Sequence, residues 1–206
     1  MCLLAAVSAR SQTSCERPPA VAANARGLAQ LGGGDLAKAL ASFDEALQLD
    51  ARLEQARLNR GVAYLRAGQT AKAMADFGAL ANDEHSLVRA DAAYHLALAL
   101  ERLGRLDEAE TWLDRAIKLD NDLDAAVLHS GILRERRGDL QGAGRAYLEY
   151  LKKHPDSTVA LLRFGVAAQK SGRAETAKTY LQRVIALAPP KSPEAVEARK
   201  YLVMWE

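Results

Sequence analysis

The chain has 206 residues, of which 28 are lysine or arginine and 26 are aspartate or glutamate, giving a net charge of +2. Its charges alternate in sign along the chain and form no concentrated basic face, which disfavours direct binding of nucleic acid. Both cysteines, Cys2 and Cys15, lie in the first fifteen residues. The remaining sequence therefore offers no disulfide and no cysteine-bound metal. No run of 18 or more apolar residues predicts a transmembrane span.

The first nineteen residues do not fit the pattern of the rest of the chain. An apolar run from Cys2 to Val7 leads into Val7-Ser8-Ala9, which resembles the cleavage site of an export signal. Residues 11–19 are polar and contain prolines, as in a tether. The run also resembles a bacterial lipoprotein signal, although Arg10 stands where the lipidated cysteine belongs. We expect residues 1–19 to be a degraded signal-like segment or flexible tether, with a cytosolic tail as the alternative.

Residues 20–191 contain an internal repeat. A small residue recurs at intervals of 34, 36, 34 and 34 residues, as Gly27, Gly61, Ala97, Gly131 and Gly165. A second small residue follows twelve positions later, as Ala39, Ala73, Ala109, Ala143 and Ala177. A bulky residue comes four positions beyond, as Phe43, Phe77, Leu113, Tyr147 and Leu181. A glycine separates the two halves of each unit, at Gly34, Gly68, Gly104, Gly138 and Gly172.

These columns predict pairs of antiparallel helices. We expect the small residue of the first helix to meet the small residue of the second, so that the two helices of a unit approach closely, and bulky residues to fill the gaps between neighbouring helices. A glycine at the turn ends the first helix in a left-handed conformation without a steric penalty. The predicted units are residues 20–53, 54–87, 90–123, 124–157 and 158–191. The junction from Asn82 to Val88 carries two extra residues and no proline, so we expect an irregularity there.

The pattern resembles the tetratricopeptide repeat (TPR), which has small, bulky and proline positions at a 34-residue period. Prolines close the last two units, at Pro155 and Pro189. The tryptophan position of the family is not kept and holds Ala23, Arg57, Ala93, Val127 and Leu161. The resemblance implies an all-α fold, a right-handed superhelix (α-solenoid) of about five helix-turn-helix repeats. It also implies a non-catalytic scaffold for protein–protein interaction.

Residues 192–206 follow the last repeat and predict one more helix. Ser192 is a plausible N-cap, and Pro193 stands at the first helical position. Apolar residues then recur at helical spacing, as Ala195, Ala198, Leu202 and Trp205. We expect a capping helix that covers the open end of the core. Docking of a second subunit through Trp205 is the alternative.

The resemblance implies that the first helix of each repeat lines a concave groove in which partners lie. The fifth and ninth positions of the units are mostly apolar, and the sixth positions are polar, which predicts an apolar floor beside a polar wall. An amphipathic helix or an apolar extended segment of a partner protein would fit this groove. In the alternative, these residues form ordinary core between helices. The candidate groove residues are Leu58, Asn59, Val62, Tyr94, His95, Leu98, Leu128, His129, Ile132, Leu162, Arg163 and Val166.

We expect no catalytic residues, no cofactor and no metal site. His95 and His129 occupy equivalent places in adjacent units, but no cysteine or carboxylate at ligand spacing accompanies them. The Gly32-Gly33-Gly34 turn joins two helices and has no lysine after it, unlike a phosphate-binding loop.

The combination of a signal-like start, a tether and a solenoid resembles TPR lipoproteins that act as pilotins for type IV pilus secretins. This resemblance implies a periplasmic protein, or one at the periplasmic face of the bacterial outer membrane, with lipid-anchored or peripheral attachment. Its partner would be a segment of an outer-membrane secretin. The alternative is a cytoplasmic TPR adaptor or regulatory scaffold.

Overall fold

A computed structural model describes residues 18–203, and in this range it contains eleven α-helices and no strand. The helices are α1 (Pro19–Gly32), α2 (Leu36–Leu49), α3 (Glu54–Arg66), α4 (Thr70–Asn82), α5 (Arg89–Arg102), α6 (Leu106–Leu119), α7 (Asp124–Arg136), α8 (Leu140–Lys153), α9 (Thr158–Lys170), α10 (Ala174–Leu187) and α11 (Pro193–Val203). The signal-like segment predicted at the start of the chain, and Trp205 at its end, lie outside these residues.

Each predicted repeat contains two helices joined by a three-residue turn. The turn glycines have φ angles of +74° to +84°, at Gly34, Gly68, Gly104, Gly138 and Gly172. This left-handed conformation carries no steric penalty for glycine but costs free energy for residues with a Cβ. The predicted role of this glycine column is confirmed.

The helices stack in chain order, each packing against the next. Direct contacts between helices that are not consecutive join first helices of neighbouring repeats, in the pairs α1–α3, α3–α5 and α7–α9, and join α9 to the final helix α11. The first helices therefore form one continuous layer along the stack. The predicted all-α repeat superhelix is confirmed.

The four glycines of the small column, Gly27, Gly61, Gly131 and Gly165, face the bulky residue of their own repeat. A Cβ built on Gly61 would lie 2.5 Å from Cε1 of Phe77, and one built on Gly131 would lie 2.5 Å from Cε1 of Tyr147. The sequence predicts that this small residue meets the small residue of the second helix, but its nearest neighbours are side-chain atoms of the bulky residue, a ring in three repeats and Leu181 in the last. The whole bulky column is fully buried, at Phe43, Phe77, Leu113, Tyr147 and Leu181.

An ion pair crosses the interface between the helices of the second repeat. Nε and Nη2 of Arg60 donate to the two carboxylate oxygens of Asp76, at 2.8 and 2.7 Å. Nη1 of Arg60 donates to Asp44 of the preceding repeat at 2.8 Å. The Asp76 hydrogen bond is the main reason why the pKa of the Arg60 guanidinium is raised. This cluster joins three helices, α2, α3 and α4.

The junction between α4 and α5 is longer than the others, as predicted. Six residues, 83–88, separate these helices, whereas four residues connect α2 to α3, α6 to α7 and α8 to α9. The backbone N–H of Leu87 donates to a carboxylate oxygen of Glu54 at 2.9 Å, while the Leu87 side chain is 95% exposed. The extra residues are thus accommodated as a loop fixed to α3.

Helix α11 begins as the sequence predicts. Oγ of Ser192 accepts a hydrogen bond from the backbone N–H of Ala195 at 3.2 Å, and Pro193 is the first helical residue. Ala195 and Ala198 are fully buried in the cluster that also contains residues of α8, α9 and α10. No helix in residues 18–203 is long and apolar enough to span a membrane.

Candidate functional site

The predicted groove residues lie on the first helices α3, α5, α7 and α9, and differ in how far their neighbours cover them. Leu58, Leu162 and Val166 are buried, with exposures of 6%, 7% and 5%. A second group is only partly buried and packs at the border of the core, namely Val62, Tyr94, Leu98, Leu128 and Ile132. The partly buried group forms a row of accessible apolar side chains on consecutive first helices.

The predicted polar wall connects the repeats to one another. Three of its four side chains hydrogen-bond to the preceding first helix: Asn59 to Asn24 (2.9 Å), His129 to Glu101 (2.5 Å) and Arg163 to Glu135 (3.3 Å). The fourth, His95, stacks on the ring of Phe77, with ring centroids 5.3 Å apart. The three hydrogen-bonded side chains therefore link successive first helices beside the apolar row.

A column of basic side chains at the ends of the first helices was not foreseen. Each cation reaches the end of the preceding first helix: Arg66 bonds to the carbonyl of Leu31 (3.4 Å), Arg102 to the carbonyl of Leu65 (2.5 Å), Arg136 to Glu101 and Lys170 to Glu135 (3.3 Å). The signal that could have revealed it is a basic residue recurring 36, 34 and 34 positions apart. These side chains therefore link the ends of successive first helices along one edge of the groove.

Two cavities open among these residues. The central one has a volume of about 490 Å³ and is lined by Leu65, Leu98, Glu101, Arg102, His129 and Arg136. The second, which we call the terminal cavity, has a volume of about 200 Å³ and lies between α9 and α11. It is lined by Glu135, Val159, Leu162, Arg163, Val166, Pro193, Glu194 and Glu197. The contribution of α11 was missed, because the repeat pattern does not specify how a final helix is oriented.

The two histidines of the predicted groove both pack against the ring of Tyr94. Ring centroids are 5.3 Å apart for His95 and 6.0 Å apart for His129. Burial raises the pKa of the Tyr94 hydroxyl and lowers the pKa of His95, while the charge of Asp91 partly offsets the shift at His95. Within residues 18–203, no three or more histidine, cysteine, aspartate or glutamate side chains are grouped so that they could hold a metal ion.

The lowered pKa of His95 predicts a pH-dependent stability. The unfolded chain takes up a proton near the ordinary imidazole value of 6.5, whereas folded His95 stays neutral to lower pH. Its contribution to the free energy of unfolding is therefore constant above that value and decreases as the pH falls below it. Urea unfolding at pH 7.5 and 5.5 measures this decrease. The loss of unfolding free energy between these two pH values should be smaller in His95→Gln than in the wild type. An equal loss in the two proteins would contradict the prediction. His85→Gln, at an exposed imidazole, is the control.

Family models described as tetratricopeptide repeat match residues 24–86, 90–123, 125–157 and 159–190, which together span the stacked repeats. The chain is a TPR protein. Proteins of this family are generally non-catalytic scaffolds that bind peptides or other proteins, and the fold supports that general role here. No curated protein sequence matches the chain.

Solved TPR structures share this fold. The similarity to PilF of Pseudomonas aeruginosa has a TM-score of 0.76 at 16% identity and covers 92% of this chain and 83% of PilF. For YrrB, described as a TPR protein with an unusual peptide-binding site, the TM-score is 0.67 at 24% identity, covering 90% and 94%. MamA from Desulfovibrio magneticus RS-1 gives 0.70 at 15% identity, covering 84% and 97%. At these identities the similarity establishes the fold.

Proposed function

We propose that this TPR protein is a non-catalytic scaffold that holds a segment of a partner protein in the groove along α3, α5, α7 and α9. The observation that carries the proposal is the row of partly exposed apolar side chains beside the central cavity of about 490 Å³. An apolar floor with a polar edge fits the apolar face of an amphipathic helix or an apolar extended segment.

The groove is also preorganised for binding. Its polar side chains are already fixed by hydrogen bonds between repeats, such as Asn59 to Asn24 and His129 to Glu101. A partner therefore meets a surface whose side chains lose little conformational freedom on binding. Because Leu58 and Leu162 are buried under this surface, we assign direct partner contact to the partly exposed residues Tyr94, Leu98, Leu128 and Ile132.

In the cell, the proposed role is that of an envelope assembly factor resembling the pilotins of type IV pilus secretins. The signal-like residues 1–19 and the architectural likeness to PilF support this proposal. The partner would then be a segment of an outer-membrane secretin, bound at the periplasmic face of the outer membrane.

Replacing Leu98 and Ile132 with serine tests the groove. Both side chains are partly buried at the border of the core, so we expect the double variant to stay folded and to lose at least about 90% of the partner retained by the wild type. The measurement is a pull-down from solubilised envelope membranes, with circular dichroism to check folding. Leu148→Ser on α8, at a side chain 39% exposed, is the control. Unfolding of the double variant, or undiminished capture, would contradict the proposal.

Cell fractionation with N-terminal sequencing tests the location. We expect the native protein in the envelope fraction with a mature N-terminus near Arg10, because the small-residue triplet precedes this position. An intact N-terminus in the cytosolic fraction would eliminate the envelope role and leave the cytoplasmic adaptor.

A further inference from the structure

The terminal cavity closes the groove at its C-terminal end. Its floor is apolar and consists of Val159, Leu162 and Val166 from α9 and Pro193 from α11. The Ser192 cap fixes the first turn of α11, and the fully buried side chains of Ala195 and Ala198 pack this helix against the core. The helices that line the cavity are therefore held in place by capping and packing.

The rim of the terminal cavity carries three glutamates, Glu135, Glu194 and Glu197, and one arginine, Arg163, in a chain whose net charge is +2. Glu135 is already neutralised, since its carboxylate accepts hydrogen bonds from Tyr147 at 2.8 Å and from Arg163 and Lys170 at 3.3 Å each. Glu194 and Glu197 differ: in the part of the chain that the structure describes, neither carboxylate has an ion-pair or hydrogen-bond partner. Two carboxylates without an ion-pair or hydrogen-bond partner among the described residues thus flank the apolar floor.

From this geometry we infer that the terminal cavity anchors a basic-apolar motif of the partner segment. An aliphatic or aromatic side chain enters the cavity, and a neighbouring lysine or arginine pairs with Glu194 and Glu197. The volume of about 200 Å³ fits one such side chain, because an apolar cavity of roughly 150 Å³ already holds benzene. Cation–carboxylate hydrogen bonds are among the stronger polar contacts in proteins. This inference rests on the proposed groove and names the chemistry of its occupant.

Selection of random 12-residue peptides displayed on phage, with the full chain as target, tests the motif. We expect enriched peptides to carry lysine or arginine next to leucine, methionine or phenylalanine. Their affinity should fall about tenfold or more for Glu194→Gln/Glu197→Gln, and binding to the wild type should weaken as salt is added. Glu175→Gln is the matched control. Glu175 is the second residue of α10, just as Glu194 is the second residue of α11.

The outcomes separate this inference from the proposed function. Enriched peptides without basic residues, or ones that bind the double variant equally well, overturn the inference. The groove still stands if Leu98→Ser/Ile132→Ser abolishes their binding. A selection that enriches no peptide overturns both. If light scattering shows a dimer that dissociates in the Glu194→Gln/Glu197→Gln variant, a second copy of the chain occupies the cavity, and the inference is again overturned.

Discussion

Replacing Gly61 with alanine is expected to destabilise the protein by about 2–3 kcal/mol, since overpacking a well-packed core typically costs about 1–3 kcal/mol. The new Cβ would lie 2.5 Å from Cε1 and 2.9 Å from Cδ1 of Phe77. The Phe77 ring is fully buried, so it cannot swing into solvent to make room. Urea unfolding followed by circular dichroism measures the change.

Two further variants make this prediction specific. Gly78→Ala, also within a helix of the second repeat, meets no atom within 4 Å and should stabilise the protein by about 0.5–1 kcal/mol. Gly61→Ala combined with Phe77→Leu reproduces the Ala97 and Leu113 of the third repeat and should recover part of the loss. If Gly61→Ala and Gly78→Ala changed the free energy of unfolding by the same amount, the contact described between the small and bulky columns would be contradicted.

Removing the guanidinium of Arg60 is expected to have a similarly large effect. In Arg60→Met, the carboxylate of Asp76, whose side chain is 10% exposed, would lose its ion-pair partner and stay largely buried. Breaking a buried ion pair on one side costs about 3–5 kcal/mol, and we expect about 2–3 kcal/mol at this partly buried site. Thermal and urea unfolding measure the loss.

The chain offers internal controls for the ion pair. The equivalent arginine of the first repeat, Arg26, pairs with Glu45 at an exposed site, with side-chain exposures of 48% and 52%. Glu45→Ala should change stability by at most about 1 kcal/mol. Arg60→Met/Asp76→Leu removes both charges and should be more stable than Arg60→Met alone, because apolar residues can replace a buried pair. A double variant as unstable as the single one would contradict the argument.

The sequence was sufficient to predict the fold because each column of the repeat has a local physical cause. The turn glycines require a left-handed conformation, and Gly27, Gly61 and Gly131 lie where a buried ring leaves no space for a Cβ. Ser192 and Pro193 begin the last helix by the same local rules, and the two extra residues before Arg89 form the longer junction. None of these features depends on contacts between distant repeats.

The groove was less predictable, because it depends on how repeats approach one another. Periodicity placed Leu58 and Tyr94 at the same, fifth position of their units, but packing buries Leu58 and leaves Tyr94 partly accessible. The basic column along the groove edge is visible as a period in the sequence, yet its role depends on the contact between successive first helices. The terminal cavity depends on the orientation of α11, which no repeat specifies. Partner binding by the twelve candidate residues remains a prediction.

Photo-crosslinking in living cells tests most directly whether the layer of first helices holds the partner. Benzoylphenylalanine would be incorporated in place of Leu98 or Leu128 on the first helices, and in place of Leu148 on the second helix α8 as the reference. We predict that both first-helix positions crosslink to the same partner protein and that position 148 does not. Crosslinking from position 148 with none from positions 98 and 128 would contradict the proposed groove.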